Sequence, residues 1–101
     1  MAEEGKIEQR FRKKAAAKGG WVIKFTPVGL RGLPDRIVLI KGGRIAFIEF
    51  KAPGQKPRPL QLKRKRQLEG FGFACYICDS NIVADRILDE LFGNEVVTDE
   101  V

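Results

Sequence analysis

Residues 32–51 read Gly32-Leu33-Pro34-Asp35-Arg36-Ile37-Val38-Leu39-Ile40-Lys41-Gly42-Gly43-Arg44-Ile45-Ala46-Phe47-Ile48-Glu49-Phe50-Lys51. Two apolar runs meet at Lys41-Gly42-Gly43-Arg44, and a glycine pair between β-branched and aromatic runs marks a hairpin. Neither run alternates cleanly between apolar and polar residues. The sheet they belong to is therefore covered on both faces, which calls for helices on each side. Asp35 opens the first run, and Glu49 and Lys51 close the second. Ionisable groups at the end of an apolar strand are costly unless they are paired or bound to a metal.

Working outward, residues 3–18 are rich in helix formers. Ile7, Phe11 and Ala15 recur every four residues, and Gly19-Gly20 supplies the stop. Residues 21–26 are β-branched and aromatic and end at Pro27, as a strand would. Trp21 and Phe25, at strand spacing, are expected in the core. Residues 52–59 are rich in proline and form a connection, with Pro59 preorganised as the first residue of a second helix. A fourth strand over residues 73–78 follows. Asp79 or Ser80 then caps a last helix with a buried stripe of Val83, Ile87, Leu88 and Leu91. The expected fold is α/β: a mixed four-stranded sheet flanked by helices, an αβββαβ core plus a C-terminal helix. Its last strand is reached by a helical crossover and can lie parallel to an earlier one.

With 101 residues the chain forms one domain, over residues 1–93, followed by an acidic tail over 94–101. No apolar run is long enough to span a membrane, and the acidic start differs from a signal peptide. A soluble, intracellular protein is expected, in the cytoplasm of a bacterium or a phage-infected cell. Nineteen Lys and Arg all precede residue 87, against eight acids up to residue 88, so the body carries about +11. A polyanion is the expected partner, because cations that neutralise phosphates release counterions. Histidine is absent. That excludes Ser-His-Asp and Cys-His catalysis and histidine-based zinc sites, and leaves carboxylates, lysine or a metal. Cys75 and Cys78 lie in a strand and would face opposite sides, as buried free thiols rather than a zinc or redox pair.

Glu49 and Lys51, two apart on a strand, project from one face with backbones about 7 Å apart. Two carboxylates in one pocket repel unless a cation separates them. Asp35, Glu49 and a backbone carbonyl, that of Phe50, make an incomplete shell for a hard cation such as Mg²⁺ or Mn²⁺, to be completed by water and a substrate phosphate. Lys51 is placed to orient a nucleophile or to stabilise charge on phosphate oxygens.

The pattern Pro34-Asp35 followed by Glu49-x-Lys51 resembles the PD-(D/E)xK nucleases, which have a restriction-endonuclease-like fold. More narrowly, Glu8, Gly32-Leu33-Pro34-Asp35, Glu49-Phe50-Lys51-Ala52 and Pro59-Leu60-Gln61 resemble the virus-type replication-repair nuclease domain, VRR-NUC, in its standalone form. The resemblance implies metal-dependent endonuclease cleavage of branched DNA, such as four-way (Holliday) junctions, by a homodimer. It implies Asp35 and Glu49 as metal ligands, Lys51 as catalytic lysine, Gln61 near the scissile phosphate, and Glu8 reaching the metal through water. Glu4, four residues earlier on the same helical face, could replace Glu8.

Lys56, Arg58, Lys63, Arg64, Lys65 and Arg66 supply six cations within eleven residues with no acid among them. With Arg31 and Arg36, which flank the metal motif, they are the expected DNA-binding set. In a helix Gln61, Arg64, Lys65 and Leu68 fall near one face. A non-enzymatic DNA-binding module would account for this charge while leaving Asp35 and Glu49 unexplained, since acids at a DNA surface weaken binding. One geometric obstacle stands against convergence. If Gly42-Gly43 is a two-residue turn, opposite residues have numbers summing to about 85, and Asp35 faces Phe50 and points away from Glu49. Convergence needs a longer turn, a bulge, or irregular backbone at Asp35, the last favoured by Pro34.

Overall fold

The computed structural model describes residues 2–93; the acidic tail expected over 94–101 lies outside them. Along the chain run α1 (Glu3–Ala17), β1 (Trp21–Lys24), β2 (Arg36–Ile40), β3 (Arg44–Phe50), α2 (Pro59–Gly70), β4 (Ala74–Cys78) and α3 (Asn81–Phe92). The sheet order is β1-β2-β3-β4. The first three strands form an antiparallel meander, and β4 lies parallel to β3 after the α2 crossover.

The hairpin has three loop residues, Lys41, Gly42 and Gly43, and Ile40 pairs with Arg44. Gly42 and Gly43 both have positive φ, 88° and 74°, which only glycine adopts at no steric cost. Paired residues therefore sum to 84, one less than a two-residue turn gives. A slip of one residue turns every side chain of a strand to the other face. In the observed register Val38 and Ile40 share a face with Ala46, Ile48 and Phe50, and all five are buried. The alternative would have set Glu49 among them, so the apolar pattern selects the longer loop.

That face packs against α1 and α3. Phe11 is fully buried and meets Phe50 edge-on, with ring centroids 5.5 Å apart. Burying such a side chain is worth about 1.5–3 kcal/mol. Ser80 caps α3 by accepting a hydrogen bond from the Val83 N–H at 3.1 Å. The buried stripe of α3 is Ala84, Ile87, Leu88 and Leu91, with Val83 only partly covered, because 84, 87, 88 and 91 follow the helical repeat more closely. Arg10 and Lys14 of α1 both reach Asp85 of α3, at 3.0 and 3.4 Å, so these two cations tie the helices together.

The opposite face is covered only in part. The α2 helix packs on β4 and has no fully buried residue, which leaves the β1 side open. Trp21, expected in the core, is 67% exposed, and Phe25 is partly buried. The reason is topological: β1 is an edge strand, and the crossover helix lies over the other edge. Cys75 and Cys78 are free and buried. Burial pushes the Cys75 thiol up to about 11 and raises that of Cys78, so neither is a ready nucleophile.

Among the described residues no helix is long and apolar enough to cross a membrane.

Candidate active site

Asp35 precedes β2 as a bend, and its carbonyl accepts a hydrogen bond from the Phe25 N–H at 2.8 Å, which fixes it against the end of β1. Continuing the register of 84 sets Asp35 opposite Glu49, with both side chains on the α2 face. The longer loop and the bend after Pro34 together remove the obstacle that a two-residue turn would raise.

Glu49 shows the consequence in its protonation. Its carboxyl is held above the usual carboxylate range, first by burial and then by the Asp35 charge. Lys51 and the Asp35 N–H, which donates to it, act in the opposite sense. Lys51 is itself only 5% exposed, and its Nζ lies 3.9 Å from Glu49 Oε2. Its backbone is fixed by an N–H donated to the Cys78 carbonyl at 2.8 Å, one step beyond the β3–β4 ladder.

Two recesses meet at the Asp35–Glu49 pair. The first, of about 530 Å³, is lined by these acids with Arg31, Gly32, Leu33, Arg58, Leu60 and Gln61. The second, of about 310 Å³, lies toward the start of α1 and is lined by Glu4, Glu8, Arg36 and Phe50 besides the pair. Gly32 lets α2 approach. Its φ is +83°, and a Cβ there would come within 2.6 Å of the Leu60 side chain. Arg64 closes the contact by donating to the Arg31 carbonyl at 2.9 Å. Gln61 accepts from the Arg58 N–H at 2.8 Å, which orders the first turn of α2 at the edge of the site.

The structure thus gathers Glu8, Asp35, Glu49, Phe50, Lys51, Gln61, Arg31 and Arg58 around one centre. Lys63 and Arg66 are exposed on α2, and Lys56 on the preceding loop. Arg64 and Lys65 are partly engaged, Lys65 with Glu69 at 2.7 Å. Gln61 and Arg64 both face the loop of residues 31–33, Gln61 at the first recess and Arg64 over the Arg31 carbonyl, whereas Lys65 turns to Glu69. Arg36 does not join the basic surface. It lies 3.2 Å from Asp35 Oδ2 and 3.7 Å from Glu8 Oε2, inside the acidic recess. Sequence reasoning missed this role. The available signal was its adjacency to Asp35 in an otherwise apolar strand.

Whether these residues suit a divalent ion can be judged on their own state. Glu49 is desolvated beside a second carboxylate, and Glu8 Oε2 is buried without a hydrogen-bond partner. Both are liabilities that a hard cation relieves, and the donors are oxygens. Among the described residues no three His, Cys, Asp or Glu side chains close a cage, so the fit is to an open shell of two carboxylates.

A mixed sheet with an Asp at the entry of one strand and Glu-x-Lys at the exit of the next defines the PD-(D/E)xK class, with the restriction-endonuclease-like fold. A solved structure described as "VRR_NUC domain" superposes with a TM-score of 0.82 and 28% identity, over 88% of this chain and 97% of that one. "Putative nuclease p44" of Acyrthosiphon pisum secondary endosymbiont phage 1 is 39% identical over 80 residues, 79% of this chain and 86% of the phage protein. No protein-family model matches the chain. On these similarities the chain belongs to the VRR-NUC family of nuclease domains.

Proposed function

We propose that this protein is a Mg²⁺- or Mn²⁺-dependent endonuclease that hydrolyses phosphodiesters in branched DNA, four-way junctions in particular. The observation that carries the reading is the convergence of Asp35 and Glu49 in a cleft bordered by Arg31 and Arg58, with the buried Lys51 3.9 Å behind Glu49 Oε2. Asp35, Glu49 and the Phe50 carbonyl would hold the ion, with Glu8 reached through water. Glu4, exposed at the mouth of the same recess, is the more distant alternative. A bound divalent ion supplies Lewis acidity, easing deprotonation of water and offsetting charge on the scissile phosphate.

The residues of the chain do the rest. Lys51 is kept beside Glu49 by burial and by its anchored backbone, so its ammonium is preorganised to orient a water or to meet charge growing on phosphate oxygens. Gln61, Arg58 and Arg31 border the cleft where the DNA backbone would enter, and Lys56, Lys63, Arg64, Lys65 and Arg66 extend the positive surface along α2. The test is cleavage of a panel of four-way junction, flap, single-stranded and duplex DNA, with Mg²⁺, Mn²⁺ or EDTA. Junction cutting with either ion and none in EDTA is the expected result. Binding of every DNA without cutting in any condition would show a non-enzymatic DNA-binding module instead.

Replacing Lys63, Arg64, Lys65 and Arg66 together by Ala should weaken DNA binding and flatten its dependence on salt. Each lost phosphate contact removes about 0.9 from the slope of log K against log salt. Because Arg64 and Lys65 are partly engaged within α2 and with its neighbours, the slope should fall by about two to four. Binding measured across a salt series decides this, and an unchanged slope would mean that α2 faces away from DNA.

The half-covered sheet face supports a homodimer as part of this proposal. Trp21, Leu39 and Ile45 stand opposite one another across β1, β2 and β3, and Phe73 packs edge-on against Phe47 beside them. Trp21 is 67% exposed and Phe71, just beyond α2, is 82% exposed. A two-fold dimer would bury these residues and present one site to each of two symmetric phosphates of a junction. Light scattering at micromolar protein should give twice the chain mass, and Trp21→Glu should give the single chain mass. Monomer throughout, with junction DNA present, would reject the dimer.

A further inference from the structure

Arg36 is the least expected feature of the site. It stands in β2 opposite Ile48, on the face that packs toward α1, and its guanidinium reaches back over the strand end into the acidic recess. There it makes three contacts: to Asp35 Oδ2 at 3.2 Å, to the Asp35 carbonyl at 3.1 Å and to Glu8 Oε2 at 3.7 Å. Its side chain is 22% exposed and that of Glu8 13%. Arg12 also approaches Glu8, at 3.6 Å, but is 55% exposed and correspondingly screened.

We propose that Arg36 occupies the second cation position of this site, so that each chain binds one divalent ion, between Asp35 and Glu49, and Glu8, which reaches that ion only through water, holds the arginine directly. The inference rests on the metal-dependent reading above. Two-metal centres in nucleases keep their ions about 3.5–4 Å apart on a shared carboxylate. Here the flank of Asp35 toward Glu8 is filled by a guanidinium nitrogen at 3.2 Å, and an ion needing oxygens at about 2.1 Å cannot share that place.

Charge balance agrees. Counting only the side chains at least partly withdrawn from solvent, and leaving out the exposed and screened Glu4, Arg12, Arg31 and Arg58, Glu8, Asp35 and Glu49 carry three negative charges and Arg36 and Lys51 two positive ones, which leaves a single unmet charge. One divalent ion and one substrate phosphate bring that total to zero. A second divalent ion would leave two positive charges in a desolvated recess, which is unfavourable. Arginine suits the post because it keeps its charge when buried and presents several donors in a rigid fork to the two acids.

The experiment is Mn²⁺ titration, by calorimetry and by the electron paramagnetic resonance signal of unbound Mn²⁺, on the full chain without DNA. Ions bound by the Asp35→Asn, Glu49→Gln double variant are subtracted as foreign to the site. Wild type should bind one Mn²⁺ per chain and Arg36→Met two. Arg36→Met combined with Glu8→Gln should return to one, and Arg36→Lys should stay at one. Thermal melts accompany each variant. Two ions in the wild type overturn the proposal even if Arg36→Met fails to fold, and so does a folded Arg36→Met that still binds one. A wild type that binds none at Asp35 and Glu49 removes the metal-dependent reading itself and this proposal with it, a result distinct from two ions.

Discussion

Asp35→Asn and Glu49→Gln are each expected to lower junction cleavage by about 10²–10³-fold or more, the scale of removing one preorganised electrostatic group from a reacting centre. Both changes are nearly isosteric, and each removes one charge and one hard ligand. Junction binding without metal should be unchanged or tighter, since an acid facing a phosphate backbone is lost. Folding should survive. The Glu49 carboxylate is already disfavoured by burial and by Asp35, so neutralising either acid relieves the pair. Binding and cleavage are measured on the same labelled junction, with calorimetric Mn²⁺ titration alongside. If both variants cut as well as the parent, the acids do not form the reacting centre.

Lys51→Met is expected to reduce cleavage on a similar scale, about 10²–10³-fold, for a different reason. Lysine is not an oxygen ligand, so Mn²⁺ should still bind, and more tightly, because a positive charge 3.9 Å from Glu49 Oε2 has gone. The loss therefore falls on the chemical step rather than on occupancy of the site. Stability should respond in a way that a surface lysine would not. Lys51 is 5% exposed, and removing one partner of a buried ion pair costs about 3–5 kcal/mol in a fully buried setting, less here because Glu49 keeps some solvent contact. Mn²⁺ should restore part of this cost by neutralising Glu49. Thermal melts with and without Mn²⁺ measure the difference. A variant that loses Mn²⁺ binding together with activity would reassign Lys51 from chemistry to upkeep of the site.

The sequence alone determined the elements, their order and the chemical vocabulary of the site. Periodicity and punctuation are local, so α1 could be read from Ile7, Phe11 and Ala15, α2 from Pro59, and the mixed sheet from a hairpin apolar on nearly every position followed by a helical crossover. Pro34-Asp35 and Glu49-x-Lys51 supplied the candidate acids and the candidate lysine, and the absence of histidine left them little competition. The relation between those residues was decided in three dimensions. Whether Gly42-Gly43 forms the whole turn or shares it with Lys41 depends on which register buries Val38, Ala46 and Ile48 beneath α1 and α3, a packing choice across distant elements. That single residue sets Asp35 beside Glu49 rather than behind it. Two other outcomes have the same origin. Trp21 is exposed because the crossover helix covers the far edge of the sheet. Arg36, one of many cations in a basic chain, is drawn to Glu8 and Asp35 because α1 packs where it does, and charge responds to neighbours that the local sequence does not contain.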